Sequence, residues 1–522
     1  CNGQLGILDT FTEFGDNWEF GVLEIVWRDS LGAQVFDSQV VERALGWRAF
    51  TIRQEEIEQV LSENEMRAII KLRGGRNVYL LKRIPCLSGE EATLIAAAID
   101  DYMERRHKRH VSATEAFAAF AREQNISSQK EQMEYLSQAI SRVVGQAGIL
   151  SEVLEHEGLE EIAVIGLGKA KPVHVYDSSF GWLPTNLYFS REREIRNIVN
   201  AVAGKIGRRI TLRSPGINAF LEDGSRLNAL MEPASVSGPA VTIRKFRKSP
   251  FTPSELAQKG ACSFGQLAFL WMAMQADCSA LVCGNTGSGK TTLLNSLFNF
   301  VPANDRVVIV EETPEICIPH RHTIRTATCQ GIEIGMGELI VNTLRMRPDR
   351  VIVGEVRRQD EVAAFIDTLL AGQGKGSYGT FHAQSSQEAI ARMRSLGALE
   401  SDLCALDLIL VQKRWSSFAN GTAREERRLI EISEPAAAAQ SGSARQQGNV
   451  RARKLFSYDF AAQKFRADGP GGRACEKICR SFGISRKMLL AEMARRAKFL
   501  EGLAGMGQGE FFNAVSAYGK RT

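Results

Sequence analysis

A chain of 522 residues, 44% apolar and 24% charged, is too long for one hydrophobic core and predicts about three to four domains of ordinary globular composition. No run of about eighteen apolar residues occurs; the nearest, Leu267 to Met274, stops at Gln275 and Asp277, which excludes a membrane-spanning helix and routes any membrane role through a partner. The net charge of +5 is small for this length and basic residues lie among acidic ones, which argues against nucleic acid as the partner.

The chain begins at Cys1 without a methionine, which reads as an incomplete N-terminus rather than a lipidated cysteine. Residues 1–112 mix short strand-like runs, Gly21 to Trp27 and Asn77 to Lys82, with a helical stretch from Ser88 to about Lys108. That stretch ends in a basic cluster, Arg105 to His110, which reads as a solvated helix end. Residues 113–247 form a second unit of mixed α+β order: a helix over Glu131–Gly145, strands at Ile162–Ile165 and Val173–Tyr176, a helix over Arg191–Gly204, then strands toward Arg244. Lys248 to Pro253, with two prolines that cannot continue either neighbour, reads as a linker and hinge. Residues 254–420 alternate apolar strands with helical patterns, the signature of a mostly parallel sheet between helices, an α/β class. The strands are Ala280–Cys283, Val307–Val310, Val351–Val353 and Ser377–Phe381. Residues 421–522 add strands at Arg428–Ile432 and Val450–Phe460, a loose loop over Ala436–Asn449 rich in alanine, serine and glutamine, and a helical tail from Ile484 to Gly502. The ten cysteines show neither a zinc quartet nor a disulfide framework, so reduced cytoplasmic thiols are expected.

The chemistry concentrates after the strand Ala280–Cys283. There Gly284-Asn285-Thr286-Gly287-Ser288-Gly289-Lys290-Thr291-Thr292 reads as a Walker A phosphate loop opening a helix. Its backbone N–H groups and the helix N-terminus face phosphate oxygens, Lys290 adds a cation, and Thr291 supplies a hydroxyl ligand for Mg²⁺. A nucleoside triphosphate, ATP with Mg²⁺, is the implied ligand. Hydrolysis also needs acids at the metal and the attacking water. The strand Val307–Val310 ends in Glu311 and Glu312; the strand Val351–Val353 ends in Gly354-Glu355, whose carboxylate can reach Mg²⁺ through water. The strand Ser377–Phe381 delivers His382 to the same edge, where it could report the state of a γ-phosphate.

Four segments together resemble the type II/type IV secretion ATPases: the Walker A string, Glu311-Glu-Thr-Pro-Glu315, Arg347-Pro-Asp-Arg-Val-Ile-Val-Gly-Glu355-Val-Arg357, and Gly379-Thr-Phe-His382-Ala. In that family's terms they are the Walker A, Asp box, Walker B and His box, and the resemblance runs from about residue 130 to about 430. Asp223-Gly-Ser-Arg226 and Ile243-Arg244-Lys-Phe246 resemble the family's second N-terminal domain, and the ending Arg495 to Leu503 resembles the archaeal branch. Two departures stand out. Glu312 occupies a place where an aspartate is usual, and the paired Cys-x-x-Cys motifs of many bacterial type II members are absent. The resemblance implies a RecA-like P-loop ATPase domain preceded by a PAS-like α+β domain whose Arg226 and Arg244 reach the nucleotide, with a further small N-terminal domain. It also implies a homo-hexameric ring at the cytoplasmic face of the membrane. There it would drive a multispanning platform protein and pilin or archaellin assembly. The rival readings are a conjugation-type or nucleic-acid-translocating ring ATPase and a nucleotide-binding assembly subunit that does not turn over.

Overall fold

The computed structural model describes an antiparallel pair of strands, Gln4–Ile7 and Ile25–Arg28, and most of the chain from 47 to 519; left out are 50–51, 53, 65–66, 83–88, 107–111, 125–132, 135, 138–139, 142–146, 157, 205–206, 247–248, 329–333, 372–373, 420–421, 438–449 and 470. His107 to His110 of the basic cluster and residues 438–449 of the loose loop therefore lie outside the described residues. The chain is a mixed α/β protein of two compact units, 1–247 and 248–522.

The first unit carries a six-stranded antiparallel sheet ordered Gly216–Phe220, Arg226–Leu230, Ala240–Arg244, Leu159–Val164, His174–Asp177, Gly181–Pro184. The strands Gly216–Phe220, Arg226–Leu230 and Ala240–Arg244 alternate as a half-buried sheet requires. Leu227 and Ala229 point into the core, whereas Asn228 and Leu230 face out. The helix Glu192–Ala203 buries Ile195, Ile198, Val199 and Val202, the i, i+3, i+4, i+7 stripe of an amphipathic helix. A smaller three-stranded sheet (Ile57–Glu63, Arg67–Leu72, Asn77–Leu81) and the capped helix Ala113–Glu123 share that core, which joins Ile69 and Phe117 to Val199 and Ile243. The boundary drawn at 112/113 thus passes between residues of one hydrophobic cluster.

The second unit is built on a nine-stranded sheet. Its order is Thr323–Ala327, Val307–Glu311, Arg350–Val356, Gly376–Phe381, Ala280–Gly284, Leu408–Ala419, Thr422–Ala437, Val450–Asp459, Lys464–Ala467. The first six strands are parallel, so their carboxyl ends share one edge; helices make every connection but that from Val307–Glu311 to Thr323–Ala327, which runs through irregular chain. The last three are added by antiparallel pairing. The boundary drawn at 420/421 falls inside the first hairpin of that extension. Two of the parallel strands, Thr323–Ala327 and Leu408–Ala419, have no counterpart in the sequence reading.

The helix Phe264–Gln275 is buried from Gln266 to Met274 because the C-terminal helices Arg486–Gly502 and Gln508–Ala517 close over it. Trp271 stacks on Phe300 at 5.4 Å, and the Arg496 guanidinium sits 4.5 Å above the Trp271 ring. The apolar run Leu267–Met274 is therefore core, and among the described residues no helix is long and apolar enough to cross a membrane. The expected linker at 248–253 is shorter than read. Thr252 and Pro253 are buried and open the helix Pro253–Gln258, with Thr252 Oγ1 and Glu255 forming a capping box. Proline at the first helical position costs no hydrogen bond, so it starts an element here instead of breaking one.

At the opposite edge of the parallel strands, Arg350 is fully buried. It donates to Asp305, Asp277, the Tyr378 hydroxyl and the Lys375 carbonyl at 2.6–2.9 Å. This network ties the strand starts together and leaves the carboxyl edge for chemistry.

Candidate functional site

The strand Ala280–Gly284 is buried along its length and runs into the loop 285–289 and the helix Lys290–Leu297. Two glycines hold left-handed conformations that other residues avoid, Gly287 at φ +71° and Gly289 at φ +92°. Gly284 is required for space: a Cβ there would lie 2.1 Å from the Gln412 carbonyl oxygen and 2.5 Å from Ser288 Oγ. Lys290 is buried and its Nζ folds back to the Gly284 and Asn285 carbonyls, both at 3.3 Å. Such a folded-back ammonium inside a glycine loop is placed to meet an anion entering the loop. Asn285 fixes the loop from outside, because its side-chain amide exchanges two hydrogen bonds with the Arg414 backbone at 2.9 and 3.0 Å.

The acidic segment divides its carboxylates among three tasks. Glu311 is buried and accepts from the N–H groups of Glu315 (2.6 Å) and Ile316 (2.7 Å) and from Arg325 Nη2 (3.0 Å). Burial pushes its carboxyl up, against the downward pull of the two N–H donors and Arg325. Glu311 is therefore occupied by the turn that follows it, not open to the crevice as its strand-end position suggested. Gly354 is small for the same reason, since a Cβ there would stand 3.0 Å from Glu311 Cγ. Replacing Glu311 by alanine strands two backbone donors and Arg325, and should lower stability by about 3 kcal/mol, read as an earlier urea midpoint.

Glu315 is the acid that faces the loop: its Oε2 accepts from Thr291 Oγ1 at 3.3 Å. Asn295, one turn along the same helix, holds Glu315 in place by donating to its carbonyl (3.2 Å) and accepting from Cys317 N–H (3.1 Å). In the sequence Glu315 carries no evident role. Its signal was the spacing Glu-x-x-x-Glu after the strand, in which the first acid anchors the turn and the second is presented by it.

Glu355 and His382, read from separate strands, are brought together: His382 Nε2 lies 2.5 Å from Glu355 Oε1. Arg357 completes the group by donating to Glu355 Oε2 at 2.5 Å and to Glu312. Glu312 and Arg357 are about half exposed, while Glu355 is more sheltered. Burial, and after it the Lys290 ammonium, hold the His382 imidazole below its usual range, so a neutral ring able to donate one hydrogen bond is favoured near pH 7. The oxygen donors gathered here, the Thr291 hydroxyl with the Glu315 and Glu355 carboxylates, are the hard ligands that suit Mg²⁺. Among the described residues no group of three His, Cys, Asp or Glu side chains forms a preset metal cage.

The family model described as "Type II/IV secretion system protein" matches residues 190–501, more than half of the chain. The chain belongs to this family. Among relatives of this type II/IV secretion family chain, an uncharacterised protein of Methanocaldococcus jannaschii is 40% identical over 229 residues, covering 42% of this chain and 31% of that protein. A putative conjugal transfer protein of Mycobacterium tuberculosis is 33% identical over 265 residues, covering 48% of this chain and 73% of that one. Of solved structures, the Legionella pneumophila ATPase DotB is similar with a TM-score of 0.41 and 17% identity, over 71% of this chain and 95% of that one. The chain spans only 31% and 42% of two M. jannaschii relatives.

The family's matched region also takes in the two arginines read from the first unit. Arg226 and Arg244 sit directly opposite each other on neighbouring strands, in register. The turn before Arg226 closes without it. Asp223 accepts from Ser225 N–H and Oγ, each at 2.8 Å, and Gly224 takes φ +87°.

Proposed function

We propose that this chain is an ATP-hydrolysing motor of the secretion and pilus type. The observation that carries the reading is the convergence of Lys290 and Thr291 with Glu315, Glu355 and His382 at one edge of a parallel sheet. In this reading residues 284–292 cradle the phosphates of ATP, and Thr291 with Glu355 and Glu315 would hold Mg²⁺, which would supply positive charge against those phosphates. Glu355 orients the attacking water, His382 senses the γ-phosphate, and Glu312 with Arg357 positions Glu355. Arg226 and Arg244 are assigned to the nucleotide from the first unit, the PAS-like partner of a RecA-like domain. Six copies form a ring at the cytoplasmic face of the membrane, and turnover moves a multispanning platform protein that assembles pilin- or archaellin-like subunits or exports cargo. Similarity to M. jannaschii proteins supports the archaeal-type branch.

The direct test is Lys290→Ala. It removes the closest cation from the phosphates and should weaken ATP binding by about tenfold to a hundredfold, measured by calorimetry, with phosphate release lost. Unchanged affinity would place the nucleotide elsewhere.

A second reading has an observation of its own. The M. tuberculosis relative, named for conjugal transfer, is covered over 73% of its length, which supports a conjugation-type ring ATPase. Strong salt-dependent binding to single-stranded DNA would favour it; its absence favours the pilus and secretion motor.

A further inference from the structure

The strand Ala280–Gly284 has different neighbours on its two sides. One side leads through Gly376–Phe381 to Arg350–Val356, and carries His382 and Glu355. The other side is Leu408–Ala419. A nucleotide whose reacting end faces Glu355 and His382 must lay its nucleoside end on the Leu408–Ala419 side. Arg414 stands there. Its backbone is locked to Asn285 of the loop, and its guanidinium lies so close to Gly287 that a Cβ there would be 2.4 Å from Nη1. Glu425 holds the fork by accepting from Nη2 at 2.8 Å and from Nε. Glu425 also accepts from Arg427 at 3.2 Å, and Arg427 lies opposite Arg414 in the strand register. Two guanidinium groups thus share one carboxylate beside a loop built for anions.

We propose that Arg414 grips the α-phosphate of the bound nucleotide, with Glu425 and Asn285 holding it in position. This rests on the nucleotide reading above but adds a contact from the opposite side of the loop. The guanidinium edge offers paired N–H donors that match phosphate oxygens, a geometry lysine lacks. Glycine at 287 then serves a second purpose besides its left-handed φ: it lets the guanidinium lie against the loop.

The test measures affinities of the full chain for ADP, a non-hydrolysable ATP analogue and inorganic pyrophosphate, together with kcat and KM. Arg414→Met should weaken ADP and the analogue by about tenfold, the worth of one charge-assisted hydrogen bond. Pyrophosphate affinity should hold, and kcat should stay within about twofold, the pattern of uniform binding loss. Glu425→Gln, which loosens the fork but keeps its charge, should shift ADP affinity the same way and less. Arg414→Lys should recover only part of the loss. An Arg414→Met variant that binds ADP like the wild type overturns the assignment. So does a parallel loss of pyrophosphate affinity, which would make Arg414 a support of the loop, or a fall in kcat at unchanged KM, which would move it to the reacting phosphate. Failure of the wild-type chain to bind any nucleotide would instead overturn the underlying reading, visible before any variant is made.

Discussion

Arg226→Ala should cut ATP turnover by about 10³-fold or more, the scale of an arginine that stabilises the transferring phosphoryl group. Arg226→Lys should be nearly as damaging, because a point charge on a flexible stem does not replace a planar fork. The local structure removes the simplest structural role for this residue: the Asp223–Ser225 turn closes through Ser225 and Gly224. Like charges directly opposite on neighbouring strands are unfavourable, yet Arg226 and Arg244 occupy such a pair. Arg244 has Glu161 as its register partner on the other side, which offsets part of that repulsion. An anionic ligand presented to the exposed edge of the pair would offset more. The measurement is kcat with ATP affinity alongside. A lysine variant turning over within about threefold of the wild type would remove the arginines from the reaction and the two-unit motor with them.

Glu355→Gln should keep ATP bound while phosphate release falls by about 10²-fold or more, typical of losing one positioned transition-state group. The substitution is nearly isosteric, so the sheet edge survives. What changes is charge. Arg357 loses one of its two carboxylates and keeps Glu312, and the His382 ring loses the anion at 2.5 Å that pulls its pKa upward. Burial and Lys290 already depress that pKa, so the variant's histidine should stay neutral to still lower pH. Its NMR titration should move down relative to the wild type. Normal phosphate release by the glutamine variant would transfer the water-orienting role to another acid, and Glu315, against Thr291, is the next to replace.

Much of this site is legible in sequence because its parts are local. A strand, a glycine loop and a helix follow one another over residues 280–297, and short-range rules connect such a run to phosphate binding. The strands that deliver Glu355 and His382 are apolar runs ending in polar residues, so their parallel pairing, though not their order, could be expected from alternation with helices. Thr323–Ala327 escaped because an edge strand reading Thr-Ile-Arg-Thr-Ala, with one large apolar residue, carries little apolar signal. Arg325 within it nonetheless anchors Glu311.

By itself the sequence determined that this protein has a glycine-rich loop between a strand and a helix, an α/β sheet around it and acids at the strand ends. Those follow from residue type and spacing within a few turns of chain. Only the tertiary structure decided what each acid does. Glu311 is consumed by its own turn, and Glu315 meets Thr291 across 24 residues. Arg414 reaches the loop through Asn285 across 129 residues. Such contacts depend on which strands become neighbours, and strand order is set by packing the whole core. No local pattern encodes it.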